Sequence, residues 1–439
     1  MFNTIEIKDK KYLFLPYTQI IIDYDKNLIN IAKDIKNNIV NSENHKELSN
    51  LFSEEINVKD KLEDAVYKYN SQQGIKLKAC QVNVIHKCNL SCKYCFAGDG
   101  THNKTARMTQ ETAKKTVDFI IKNKEKNKLL TLSIIGGEPL LNLMAFEEIV
   151  KYSKEKFNNI NEKIYFDTTT NGTLFNNEII DILNKYKVEY MVSIDSYKKD
   201  DNDFLRPSNN KNESTYSNVM INYHKYKNKS KYDSFHITVT PYNKNISKIA
   251  DELYELGIYH LHFAEVISDK KDFQFNESDI EILKKEYEKL TDIVIKRITE
   301  GKETSCYPLM SNINLLNKRR HRKLKCGALN KLVAFDSVGD IYPCDMLMWD
   351  KYKIGNIQKG IDNDKLFSLK KVLFDEGKCK NCFARYLCGG ECLNEKLWQN
   401  EEQKKLRCEL KKHIFKLQIY MYEFIVKNIK NFNFEKYKY

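Results

Sequence analysis

Between residues 79 and 275 the chain alternates two hydrophobic patterns. Short runs of branched and aromatic residues, such as CQVNVIH, LLTLSIIGGEP, KIYFDTTTNG, VEYMVSID, FHITVTPYN and YHLHFAEVI, read as strands. Between them lie stretches with apolar residues at helical spacing, among them TQETAKKTVDFIIKNK, FEEIVKYSKEKF, NEIIDILNKYK and ISKIADELYELG. Thr109 stands where it can cap the first of these helices. Six strand–helix repeats predict parallel strands with right-handed crossovers, and so an α/β barrel or part-barrel. Chemistry in such folds gathers at the carboxyl ends of the strands. A three-cysteine loop, then GGEP, TTNG and SID, fall at those ends.

The flanking regions follow other patterns. In residues 1–78, KYLFLPYTQIIIDYD predicts two short β runs, and KNLINIAKDIKNNIV, HKELSNLFSEE and VKDKLEDAVYKY predict three helices. Together they make a compact, winged-helix-like module without cysteine, suited to binding rather than catalysis. The long helical pattern ESDIEILKKEYEKLTDIVIKRI closes a central unit over 79–300. Residues 301–439 are cysteine-rich and end in an amphipathic helix, ELKKHIFKLQIYMYEFIVKNI.

Composition narrows the setting. With 439 residues, 41% of them hydrophobic, the chain can build real cores in two or three domains. No run of apolar residues is long enough for a membrane span, and charges interrupt the start where a secretion signal needs an unbroken apolar stretch. A cytoplasmic protein without a membrane partner is expected. Twelve cysteines in a reducing compartment point to metal or redox chemistry instead of disulfides. The net charge of +13 is spread among Asn and Glu as a solvated surface, not a concentrated nucleic-acid footprint, though it would favour an acidic peptide.

The cysteines carry the chemistry. Cys88, Cys92 and Cys95 form C-x3-C-x2-C after the first barrel strand. A structural zinc site wants four ligands and a cubane cluster has four irons, so three thiolates leave either a ligand from elsewhere or one open iron. Downstream come Cys326 and Cys344, then C-x2-C-x5-C-x3-C at Cys379, Cys382, Cys388 and Cys392, then Cys408. That spacing is not the two equal knuckles of a zinc ribbon. Cys80, within a strand, reads as a small core residue.

The first cysteine block, with Tyr94 and Phe96, resembles the radical S-adenosylmethionine (SAM) superfamily. The resemblance implies a partial (β/α)6 TIM-like barrel whose SAM is cleaved reductively to methionine and a 5′-deoxyadenosyl radical. It also implies cofactor contacts from Gly136, Gly137 and Glu138 to the methionyl ammonium, and from Ser193 to the ribose. Arg206 would meet the carboxylate end, the Tyr94 backbone the adenine, and Asn171 of the third strand end would join them. Without the resemblance, Arg206 reads equally well as a surface ion pair.

The seven downstream cysteines resemble a SPASM extension, which implies two auxiliary 4Fe–4S clusters and three clusters in all. By that analogy Cys379, Cys382, Cys388 and Cys408 close one site. Cys326, Cys344 and Cys392 hold the other, its fourth position open to substrate or filled by Cys306. The chain has CGGEC at 388–392 where the resembled family usually has CGGGC, and the added Glu391 is expected near the open cluster.

Read this way, the protein resembles maturases of ribosomally made peptides, in which the N-terminal module binds a precursor's leader as an added strand. Thioether formation on a cysteine-rich peptide is the expected reaction. A low-potential flavodoxin or ferredoxin is the expected reductant. Cys344-Asp345 also resembles anaerobic sulfatase-maturing enzymes, which makes Asp345 a candidate catalytic base for formylglycine formation. Carbon–carbon cross-linking is a further alternative. A non-catalytic iron–sulfur electron carrier is the alternative of another class, but a carrier needs neither GGEP nor a ribose-facing serine.

Overall fold

The structure, a computed structural model, describes residues 2–27, 30, 46–70, 74–230, 234–374 and 377–437. Six parallel strands form its centre: β4 (Ala79–Asn83), β5 (Leu130–Ile135), β6 (Ile164–Thr170), β7 (Val188–Ser193), β8 (Ser234–Val239) and β9 (His260–Glu265). These are the six strands that the hydrophobic pattern marks. Their burial alternates. In β5, Leu130, Leu132 and Ile134 are buried, while Thr131, Ser133 and Ile135 are only half-buried. A parallel strand covered on both faces would be hydrophobic throughout, so the alternation marks one face turned to an open interior.

Register then sets polar residues side by side on that inner face. Gln81 pairs with Ser133, Ser133 with Asp167 and Asp167 with Glu189. Further round, His236 pairs with His262 and His262 with Tyr307. The outer face is covered by helices. One of them is Gln110–Asn123, whose Thr109 side chain accepts from the Thr112 amide at 3.1 Å as the sequence predicts.

The sheet does not stop at residue 300. β10 (Ser305–Tyr307) adds to β9, and β11 (Leu332–Phe335) pairs in parallel with β4. β12 (Asp340–Tyr342), β13 (Gly355–Asn356) and β14 (Gly360–Ile361) extend that edge antiparallel. Strands of two to four residues carry too little periodicity to be read from sequence.

The N-terminal module is a three-stranded antiparallel sheet of β1 (Asn3–Ile7), β2 (Lys10–Leu15) and β3 (Ile20–Asp23), with a helix over Lys46–Asn70. β1 is an addition to the two predicted β runs. The two helices expected over HKELSNLFSEE and VKDKLEDAVYKY are one, because no Gly or Pro interrupts 46–70. The helix expected over 26–40 lies almost wholly outside the described residues. Phe52 packs on Leu13 and Leu15, and the Glu55 carboxylate accepts from the amides of Tyr17 (2.8 Å) and Thr18 (2.6 Å). Ile5, Ile7, Tyr12 and Phe14 join the main core, so the module is fused to the body and not tethered to it.

Candidate active site

The three-cysteine loop leaves β4 and is gripped from three sides. The Gly137 amide donates to Ile85 O and the Glu138 amide to Lys87 O, both at 2.9 Å. A Cβ on Gly137 would stand 2.4 Å from Lys87 O, so only glycine admits this approach. Ser91 N donates to Pro207 O (2.9 Å) and Lys93 N to Leu205 O (3.0 Å), and the Asn209 side chain donates to Cys88 O (3.0 Å). Burial pushes the Cys88 thiol up to about 12 and Cys92 to about 11. At neutral pH these thiols are therefore protonated, and a metal that bound them would have to displace those protons.

Glu138 is 1% exposed and accepts from Thr170 Oγ1 (2.8 Å), Asn171 N (2.7 Å) and Leu140 N (3.2 Å). Its carboxylate thus ties the end of β5 to the end of β6. Burial raises its pKa, and these hydrogen bonds oppose the rise. Asn171 in turn donates to Asn89 Oδ1 (2.8 Å) and faces Cys88 Sγ at 3.9 Å. Ser193, the last residue of β7, is buried and pairs with His236.

Tyr94 contributes more than a backbone. Its hydroxyl donates to Asp195 Oδ2 (2.5 Å) and accepts from Arg206 Nη1 (2.7 Å), and Arg206 lies 3.8 Å from Asp195. All three are buried, and Arg206 Nε has no protein partner. A buried guanidinium with a spare donor beside the thiols is a ready receptor for a ligand carboxylate. Two hydrogen-bonded groups thus stand at the ends of the parallel strands, one joining Glu138, Asn171 and the Cys88 loop, the other joining Tyr94, Asp195 and Arg206. Sequence reading overlooked His236 and His262, whose rings meet edge to face at 5.0 Å on the inner face. The signal was present as Ser234, His236 and Thr238 at every second position of β8 and His260 and His262 at the start of β9.

Seven of the nine remaining cysteines fall into two sets. Cys379, Cys382, Cys388 and Cys408 line one cavity together with Arg385, Arg407 and Lys411. Cys326 and Cys392 lie within hydrogen-bond reach, a contact that pulls Cys326 down and pushes Cys392 up, and Cys344 lies near both, its own thiol raised by burial first. Cys80 is fully buried in β4.

Two expectations need correcting. Cys306 pairs with Leu261 on β9, and its thiol sits among Tyr254 and Tyr287 on the helix-covered face, so it does not complete the three-thiol set. Glu391 lines the four-cysteine cavity and raises Cys379, so it lies at the other site from the one expected. Chain direction explains both: alternate positions of a strand face opposite ways, and Gly389 and Gly390, both at positive φ, turn the chain between the two sets.

A buried ion network braces this region. Glu395 accepts from Arg407 Nη2 (3.1 Å) and Lys411 Nζ (2.6 Å), and Arg407 also donates to Val266 O (2.7 Å). The two cations hold the Glu395 carboxyl well below the ordinary carboxylate range against the effect of burial. Glu395→Gln leaves both cations short of a partner and is expected to cost about 3–5 kcal/mol in denaturant unfolding. A depressed pKa means that Glu395 contributes its full stabilisation above about pH 4.5 and loses it as pH falls further.

A partial α/β barrel that places three half-buried thiols and a spare guanidinium donor at its strand ends is an arrangement that an iron–sulfur radical enzyme could use. Comparison with known proteins agrees. The Radical SAM superfamily model matches residues 82–254. An uncharacterized protein of Methanocaldococcus jannaschii is 30% identical over 313 residues, covering 70% of this chain and 96% of its own. The chain belongs to the radical SAM superfamily, whose members bind SAM and a 4Fe–4S cluster.

Other relatives carry specific names. A cysteine-type anaerobic sulfatase-maturating enzyme of Clostridium novyi is 26% identical, over 78% of this chain and 95% of its own. The radical SAM cyclopropyl synthase TigE of Paramaledivibacter caminithermalis is 24% identical over 89% and 88%. The antilisterial bacteriocin subtilosin biosynthesis protein AlbA of Bacillus subtilis is 26% identical over 75% and 70%. Among solved structures, native anSMEcpe with bound AdoMet aligns with a TM-score of 0.68 at 22% identity, over 80% of this chain and all of that one. Among the described residues no helix is long and apolar enough to cross a membrane.

Proposed function

We propose that this protein modifies a ribosomally made, cysteine-rich precursor peptide, joining a cysteine sulfur to a carbon as a thioether. The observation that carries the reading is the link between the two reactive ends. Asp345 N donates to Gln81 Oε1 at 3.0 Å, which sets the Cys344 turn against the inner face of β4, whose C-terminal end opens into the three-cysteine loop. A peptide in the barrel interior would therefore lie between the radical source and a three-thiol set.

Cys88, Cys92 and Cys95 would hold a cluster that, with SAM bound, would supply a radical able to abstract hydrogen. The chain's own residues do the rest. Gly137 lets the cysteine loop close against the end of β5, the backbone of Gly136 and Gly137 would face the cofactor's amino acid end, Arg206 would offer Nε to its carboxylate, and Glu138 and Asn171 fix the strand ends around it. Ser193 supplies a hydroxyl for the ribose. We assign Cys326, Cys344 and Cys392 to one auxiliary cluster with a position for the substrate thiolate, and Cys379, Cys382, Cys388 and Cys408 to a second. The leader would add as a strand to β3, whose only neighbour among the described residues is β2. A low-potential flavodoxin or ferredoxin in the cytoplasm would supply electrons. The names of AlbA and the sulfatase-maturating enzymes, which describe bacteriocin and protein maturation, support a peptide substrate.

Mass spectrometry of a cysteine-rich precursor co-expressed anaerobically with this protein tests the proposal. A loss of two hydrogens with one cysteine no longer alkylatable supports a thioether. The same loss with every thiol free replaces it with a carbon–carbon link, the reading that TigE favours.

Asp345 bears on a second reading, formylglycine formation. Burial raises its pKa, so the basic form appears only at a higher pH than for an exposed aspartate. Product formation is expected to fall as pH drops through that raised value. Asp345→Asn should stop product while 5′-deoxyadenosine still accumulates, and normal turnover would make the residue structural.

A further inference from the structure

Between the three-cysteine loop and the Cys344 turn runs a column of rings in edge-to-face and tilted contact. Phe96 directly follows Cys95, and its centroid is 5.7 Å from His102. His102 is 5.6 Å from Trp349, and Trp349 is 6.0 Å from Trp398. Trp349 closely follows Cys344, and Trp398 ends the short helix Leu393–Trp398 that Cys392 caps. His86 adds an edge-to-face contact to His102 at 5.8 Å.

The chain goes to some cost to hold this column. His102 and Asn103 both sit at positive φ, +54° and +58°, with the Thr101 and His102 amides turned back onto Ala97 O. Both nitrogens of His86, both of His102 and Trp349 Nε1 are buried without a hydrogen-bond partner. Backbone groups of Thr101 and Asp345 approach the imidazoles without completing a bond of good geometry. Unpaired buried polar groups are unfavourable, and leucine or isoleucine would seal the same seam without that cost. Stability therefore does not account for the choice of rings.

We propose that the column Phe96–His102–Trp349–Trp398 carries single electrons between the Cys88–Cys95 site and the Cys326, Cys344, Cys392 site. This rests on reading both as iron–sulfur sites. Forming a thioether breaks one C–H and one S–H bond and makes one C–S bond. The hydrogen atom leaves as 5′-deoxyadenosine and the proton goes to solvent, which leaves one electron for an iron–sulfur acceptor. Returned along the column, that electron restores the reductant consumed in the next SAM cleavage. Contacting π systems present a lower tunnelling barrier than saturated side chains do. Burial pushes His102 down to about 3, so the column holds no imidazolium at neutral pH to trap a charge.

The test uses the full-length, iron-reconstituted protein with SAM and a substoichiometric flash of photoreduced deazaflavin. Freeze-quench EPR then follows redistribution of the electron between sites, the N-terminal one being recognised by its change of signal on SAM addition. Trp349→Leu is expected to slow redistribution about tenfold at unchanged iron content and Tm, while Trp349→Phe keeps the wild-type rate. Trp398→Leu should act in the same direction and serves if Trp349→Leu does not fold. Wild-type rates in the leucine variants would overturn the conduit with the iron–sulfur reading intact. Absence of any SAM-responsive signal would instead remove that reading, and the conduit with it.

Discussion

A Cys88→Ala, Cys92→Ala, Cys95→Ala triple variant is expected to form 5′-deoxyadenosine only at background level, whatever peptide or reductant is supplied. The three thiols share one loop, and its geometry is imposed by backbone hydrogen bonds from Gly137, Glu138, Ser91 and Lys93 that do not involve the sulfurs. The substitution therefore removes ligands without unfolding the loop. Cys326, Cys344, Cys379, Cys382, Cys388, Cys392 and Cys408 are untouched and lie on other elements, so with the two auxiliary clusters proposed above the variant should retain about eight of twelve irons. Iron analysis and an assay for 5′-deoxyadenosine under strong reduction separate the outcomes. Cleavage persisting in the triple variant would rule out this loop as the radical site.

The second large effect is at Gly137. An alanine Cβ there would lie 2.4 Å from Lys87 O and 2.7 Å from Gly100 O, and both are backbone atoms that no rotamer change can move. The cysteine loop has to shift instead. Displacements of about 1 Å at a reacting centre cost roughly 100-fold in rate, so Gly137→Ala is expected to lose at least that much SAM cleavage. Gly301→Ala is the control. Its Cβ meets nothing within 4 Å, and it carries only the strain of φ +68°, on the order of 1–2 kcal/mol, with cleavage per folded protein unchanged. Equal activity of the two variants would show that the close approach at Gly137 does not position the loop.

The arrangement also explains why Glu138 is buried although a charged residue is costly to bury. Its two oxygens satisfy the amides of Asn171 and Leu140 and the Thr170 hydroxyl, and Asn171 passes the constraint on to Asn89 in the cysteine loop. The GGEP motif thus holds the cysteine loop in two ways, by glycine proximity and by a carboxylate clamp.

What the sequence determined by itself was whatever depends on local spacing. Period-2 and helical patterns located the six central strands and the helices between them, because each strand buries one face and each helix one stripe. Cysteine spacing within one loop, and glycines before Glu138, carried the resemblance to the radical SAM superfamily for the same reason: those residues are neighbours along the chain. Tertiary structure alone decided what depends on contacts between distant segments. Asp195, Tyr94 and Arg206 become one hydrogen-bonded group only when β7 lies beside the cysteine loop. Cys306 was a plausible fourth ligand by its nearness to Cys326 in sequence, but strand alternation turns it to the opposite face. Glu391 sits one residue from Cys392, yet the glycine turn before it leaves it at the four-cysteine cavity. Strands as short as β11 to β14 exist only because β4 offers an edge to pair with, and that pairing, a long-range contact, brings the Cys344 turn to the barrel interior.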